Sequence, residues 1–148
     1  MQSSAHGYVQ ISGDVRHPGV YPINAKIMTI DVIKLAGPAR SISILIPPAA
    51  GTVPVVNGEA LQVHIRSNGS ATVTRAAIPA TQRLVLGIPL DLNAVSESDL
   101  DKVPGIGPAM ARRIVMYRQK NGGSLSLQDL LLVEGIGEKK FAALRRYF

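Results

Sequence analysis

The chain says one phrase twice. Val103-Pro104-Gly105-Ile106-Gly107-Pro108 returns as Val133-Glu134-Gly135-Ile136-Gly137-Glu138. A shift of thirty residues also lays Ser96 on Ser126, Asp99 on Asp129, Leu100 on Leu130, Ile114 on Leu144 and Tyr117 on Tyr147. Agreement over both core and flanks marks an internal duplication, and each copy must then fold as the same small unit. Each reads as a short helix, a glycine hairpin and a longer helix. One such unit is too small to bury its own apolar face, so the two are expected to pack as a single four-helix domain.

Local signals place the pieces. Ser96 with Asp99, and Ser126 with Asp129, resemble capping boxes at the first helix of each copy. Pro108 suits the first position of a helix, where its missing amide costs nothing. Ala111, Ile114, Val115 and Arg118 continue that helix, and Asn121-Gly122 ends it. In the second copy Leu130, Val133, Ile136, Phe141 and Leu144 take the corresponding places.

The chemistry lies in the repeated Gly-Ile-Gly. Glycine permits a left-handed backbone and a close approach to a ligand without an intervening Cβ. Ile106 and Ile136 would point inward and anchor the hairpins. Gly105, Gly107 and neighbouring Ala109 in one copy, with Gly135 and Gly137 in the other, would then present amides at a helix start, a site for an anion such as a phosphate. Arg112, Arg113, Lys139 and Lys140 stand on the next turn and add charge. One Gly-x-Gly is a weak signal; two at fixed spacing, each before a basic helix, are not.

Charge points the same way. The 148 residues carry a formal net charge of +6. From Lys102 onward nine basic residues face only Asp129, Glu134 and Glu138, and nine less three places +6 in that stretch. Such an excess favours anionic partners. An apolar content of 46% is that of a folded protein. With no cysteine, disulfides and thiolate sites are excluded. The apolar window Ile42 to Val56 is broken by Pro47, Pro48 and Pro54, so no transmembrane helix is expected. Met1 to Gly13 lacks the basic and apolar regions of a signal peptide.

The first ninety residues read as a small α+β domain, mostly β with one helix. Tyr8 to Ser12 alternates as a strand, and Pro18-Gly19 turns into a second at Val20 to Ile23. Thr29 is a plausible N-cap for a two-turn helix that Gly37-Pro38 stops. Ile42 to Ile46 is a strand or a buried loop. Val55-Val56 leads through Asn57-Gly58 into alternating Leu61, Val63 and Ile65, and Asn68-Gly69 is a hairpin signal before a return strand from Ala71 to Arg75. Leu84 to Ile88 reads as a last strand, and Ile88 to Asn93 as the join, dividing the chain into 1–90 and 91–148. His6, His17 and His64 lack metal-ligand spacing. Asp14, Asp31 and Glu59 form no pair suited to acid–base catalysis.

Val9-x-Ile11-x-Gly13-x-Val15-x-x-Pro18-Gly19-Val20-Tyr21, the Ala36-Gly37 helix end and Asn57-Gly58-Glu59-x-Leu61-x-Val63 resemble the SLBB domain, a soluble-ligand-binding β-grasp module of envelope proteins. No ligand residue is carried over from it.

The two Gly-Ile-Gly copies resemble the helix-hairpin-helix motif, a DNA-binding element without sequence preference. Leu90-Asp91-Leu92-Asn93-Ala94 and Glu97-x-x-Leu100 before the first hairpin, with Arg112-Arg113-Ile114-Val115-x-Tyr117-Arg118-x-x-Asn121-Gly122 and Asp129-Leu130-x-x-Val133, extend the likeness to the ComEA family of competence DNA receptors. Met110 departs from it, standing where the family often has lysine. The resemblance implies binding of double-stranded DNA at Gly105, Ile106, Gly107, Ala109, Arg112, Arg113, Gly135, Ile136, Gly137, Lys139 and Lys140, without cofactor, metal or catalysis. It also implies an extracytoplasmic place, delivery of DNA to an uptake channel, and self-association through the SLBB-like half. The first hairpin should depend on its backbone with Arg112 and Arg113, the second more on side-chain charge.

Two other readings stand beside this one. DNA-repair glycosylases and nucleases use the same motif, but a catalytic Asp beyond the second hairpin is lacking, since the only acid there is Glu138; a repair accessory role remains. Alternatively, an envelope protein binds a polysaccharide or small ligand through its first half, with the duplicated domain as an adaptor.

Overall fold

Alternation along Gly7–Gly13 (β1) puts Val9 and Ile11 on one face of a strand, where both are fully buried. This is seen in a computed structural model of the protein, which describes residues 7–24 and 26–148. His6 and the first six residues of the stretch read for a leader lie outside the described residues. The turn at Pro18-Gly19 returns the chain antiparallel to β1 as Gly19–Ile23 (β2). Helix α1 spans Thr29–Ala36 and ends at Gly37, whose φ of 74° is one that L side chains rarely adopt. Thr29 is the first residue of that helix and not its cap. Its hydroxyl instead donates to the Val53 carbonyl at 2.8 Å, while the Asp31 carboxylate accepts from the Met28 amide.

Ile44–Leu45 (β3) settles the ambiguity at Ile42 to Ile46: only two residues pair, parallel to the later strand β5. A cis peptide links Ile46 to Pro47, and a 3₁₀ turn follows over Pro48–Thr52. Glu59–Ile65 (β4) runs parallel to β1 and antiparallel to Ser70–Ala77 (β5), with Asn68-Gly69 at the hairpin between them. Asn68 Oδ1 accepts from the Ser70 amide at 2.9 Å, and Gly69 has a φ of 84°. The sheet order is β2-β1-β4-β5-β3. Its inner face joins Val9, Ile11, Leu61, Val63 and Ile65 to Val32, Ile33 and Ala36 of α1 in one core. The three acids are tied locally: Asp14 to the Ile65 amide, Asp31 at the start of α1, and Glu59 to Arg75 at 3.1 Å.

The chain divides into two compact units, Met1–Ile78 and Pro79–Phe148, ahead of the join expected at 90/91. The reason is local. Leu84 to Ile88, read as a strand, belongs largely to helix α2 (Ala80–Leu86), which Gly87 closes in a left-handed conformation. Ala80 and Leu84 pack with the duplicated domain, so the helix belongs to that unit.

In the second unit, Ser96 caps α3 (Glu97–Asp101) by accepting from the Asp99 amide at 3.1 Å. Pro108 opens α4 (Pro108–Lys120), which closes at Asn121. The second copy departs from the four-helix expectation. Gln128–Leu132 is a 3₁₀ turn, and only Glu138–Leu144 (α5) is α-helical, followed by a 3₁₀ turn at Arg145–Tyr147. The hydrogen bonds show the difference. Leu100 donates four residues back to Ser96, whereas Leu130 donates three back to Leu127. Leu100, Val103, Ile106, Ala111 and Ile114 nevertheless share one core with Leu130, Val133, Ile136 and Leu144, as the duplication requires. Among the described residues, no helix is long and apolar enough to cross a membrane.

Candidate nucleic-acid interface

The two hairpins have nearly the same backbone. Gly105 has a φ of 93° and Gly135 one of 94°, a region open to glycine and costly for any residue with a Cβ. Gly107 and Gly137 are extended, with φ of −95° and −89°, and each caps the helix that follows. The Ile106 amide donates to Val103 at 2.9 Å and the Ile136 amide to Val133 at 3.1 Å, closing the same turn twice.

The isoleucines do not face a ligand. Ile106 and Ile136 are each only 4% exposed, so they leave the set of contact residues and remain as hairpin anchors. Gly105, Gly107, Ala109, Arg112, Arg113, Gly135, Gly137, Lys139 and Lys140 are all exposed. The amides of Gly107, Ala109 and Met110 precede the first in-helix bond of α4, which Ala111 makes to Gly107 at 2.9 Å. Gly137 with the starting amides of α5 repeats this, and Glu138 restores the donor that Pro108 lacks. Free donors at a helix start, with no acceptor assigned among the described residues, are what an anion would occupy.

The cations do not distribute by copy. Arg112 Nε lies 3.6 Å from Glu97 Oε1, so its charge is partly opposed within the first copy. Arg113 reaches the other hairpin, where a Cβ added to Gly135 would stand 3.1 Å from Arg113 Nη1. A groove of about 220 Å³ is lined by Arg113, Met116, Tyr117, Lys120, Leu132, Val133 and Glu134, again joining α4 to the second hairpin. A larger one of about 430 Å³ brings Pro104 and Gly105 of the first hairpin together with Gly137, Lys139 and Lys140 of the second copy. Arg113, expected beside the first hairpin with Arg112, thus lies beside the second. Met110, in the place of the family's lysine, is only 9% exposed and lies in the shared core.

The roles of two residues named in the sequence escaped the sequence reading. Arg118 donates to the carbonyls of Leu92 and Val95 at 2.9 and 2.7 Å, a structural clamp and not a free surface charge. Asn93 Oδ1 accepts from the Leu125 amide at 2.7 Å, tying the entry segment to the link between the copies. Neither role has a local signal: Asn93 is a lone polar residue before Ala94 and Val95, and the helical spacing of Arg118 is that of any surface cation.

Residues 87–148 match the helix-hairpin-helix motif family. The chain is 25% identical over 143 residues to "ComE operon protein 1" of Bacillus subtilis, covering 93% of this chain and 66% of that relative. An uncharacterized protein of Haemophilus influenzae is 30% identical over 89 residues, 60% of this chain and 80% of its own. The human "Endonuclease/exonuclease/phosphatase family domain-containing protein 1" is 39% identical over 56 residues, 38% of this chain but only 10% of the relative. With two hairpins of matched backbone over a shared core, residues 87–148 match the helix-hairpin-helix motif family, and the chain is similar over most of its length to "ComE operon protein 1".

Proposed function

We propose that this protein binds double-stranded DNA without sequence preference and without catalysis, through phosphates held at its two hairpins. The carrying observation is the pair of matched Gly-Ile-Gly turns, each opening a helix beside exposed cations. Amides and Lys/Arg read phosphates and not bases, so such contacts position a duplex without reading it. Two hairpins related by the duplication suit two strands across one groove. Likeness to "ComE operon protein 1", taken with the motif resemblance to competence DNA receptors, supports capture of DNA outside the cytoplasmic membrane for uptake.

The first unit is read as an SLBB-like β-grasp module that mediates self-association, multiplying weak contacts along one duplex by avidity. Strand β1 runs parallel to the central strand β4, with α1 between them in sequence, which supports the β-grasp reading. The decisive measurement is anisotropy of labelled random duplex over a salt series, with single strands as control. Affinity should fall by about 0.9 log units per log unit of salt for each phosphate neutralised. Affinity that barely moves with salt would overturn the proposal.

A further inference from the structure

The β-rich unit separates its charges along the strands. β1 and β4 run in parallel, so the loop after Gly13, the end of β4 at Ile65 and the turn into β5 lie at one end of the sheet. The end of α1 joins them, because the Arg16 and His17 amides donate to the carbonyls of Gly37 and Ala36 at 2.6 and 2.9 Å. Asp14 binds the loops together. Its amide donates to Val63, its carbonyl accepts from Ala39, and its carboxylate accepts from the Ile65 amide at 2.8 Å.

Each tied loop carries an exposed arginine: Arg16, Arg40 and Arg66, with Lys34 on the last turn of α1. None of these four is in an ion pair among the described residues. Asp14 is the acid at this end, engaged by the Ile65 amide and 3.4 Å from His64 Nδ1, so four cations against one carboxylate leave +3. Glu59 begins β4 at the opposite end and is matched by Arg75, while Asp31 sits at the start of α1.

We propose that this end of the β-rich unit, built on Arg16, Lys34, Arg40 and Arg66, is a second surface for the phosphate backbone of the same duplex. The inference rests on the DNA-binding reading of the hairpins and adds a contact set outside them. Charge complementarity argues for the duplex: DNA presents a charge about every 1.7 Å along its axis, so clustered arginines on one face each find a phosphate. Being on one chain with the hairpins, they meet the backbone at raised effective concentration.

The test compares the full chain with the variant Arg16→Gln, Arg40→Gln, Arg66→Gln by anisotropy on random duplex over a salt series. The slope of log affinity against log salt should shrink by about 0.9 per lost contact, thus about 2 to 3 units. An unchanged slope beside a steep parent slope overturns this proposal and leaves the hairpins standing, whereas a flat parent slope overturns the hairpin reading itself. Should Arg16→Gln loosen the fold, seen as a lower Tm, the pair Arg40→Gln and Arg66→Gln carries the test with a shift of about 2. Vesicles of phosphatidylglycerol and phosphatidylcholine form the second arm. Loss of vesicle binding in the variant with an unchanged DNA slope assigns the surface to anionic lipid and overturns the proposal.

Discussion

Arg113 of the first copy stands over Gly135 of the second, its Nη1 3.1 Å from where a glycine Cβ would be. The duplication therefore exchanges charge between its halves. Arg113→Gln should cut the salt slope by about 0.9. DNA-induced shifts at the Gly135 and Gly137 amides, followed by NMR, should shrink while those of Gly105 and Gly107 persist. Equal losses at both hairpins would show that Arg113 is not tied to the second.

Gly105→Ala and Gly135→Ala test the hairpins themselves. Each forces a Cβ into a conformation costing about 1–2 kcal/mol, so thermal or urea unfolding should register that loss. At Gly105 the added carbon meets Leu144 Cδ2 at 3.4 Å, and at Gly135 it displaces the Arg113 guanidinium. Gly135→Ala should accordingly lose more DNA affinity than Gly105→Ala at a similar stability cost. The reverse order, read by anisotropy, would count against the exchange.

Arg118 should behave in the opposite way from Arg113. Its two hydrogen bonds to the Leu92 and Val95 carbonyls are charge-assisted, a kind worth about 1.5–3 kcal/mol each. Arg118→Met should lower stability by about that amount for one bond or more, measured by urea unfolding, and leave the salt slope unchanged. A reduced slope with stability intact would place Arg118 on the DNA.

Gly13 offers a check on the β-rich unit. Its φ is 91°, and a Cβ there would collide with the Val63 carbonyl oxygen on the neighbouring strand. Gly13→Ala should destabilise the unit by about 2 kcal/mol or more, since backbone on both sides must move. Loss of the β-sheet signal on mild heating, with the helical signal retained, would locate the effect.

The hairpins were legible because the residues that make them have few substitutes. A left-handed turn calls for Gly105 and Gly135, and the buried anchor between helices is an isoleucine in both copies. The strand alternation at Val9, Ile11, Leu61 and Val63 was equally plain. Three things were less so. Helix α2 was hidden because Leu84-Val85-Leu86 reads as a strand when taken alone; Pro79 before it and Gly87 after it were the signals for a helix. The collapse of the second copy's first helix to a 3₁₀ turn depends on hydrogen-bond spacing that composition does not encode. Which cation faces which hairpin depends on tertiary packing, so Arg112 and Arg113, adjacent in sequence, part company in the fold.

The Leu90 amide donates to the Tyr147 carbonyl at 2.7 Å, joining the entry to the duplicated segment with the turn that follows its last helix. A module whose chain enters and leaves at one point can be spliced into a surface loop of an unrelated host without disturbing either partner. Such portability is in keeping with a stretch of 56 residues recurring as one tenth of a much longer human protein. The same closure makes the unit a natural subject for circular permutation, in which new ends opened between Asn121 and Ser124 would exchange the order of the two copies.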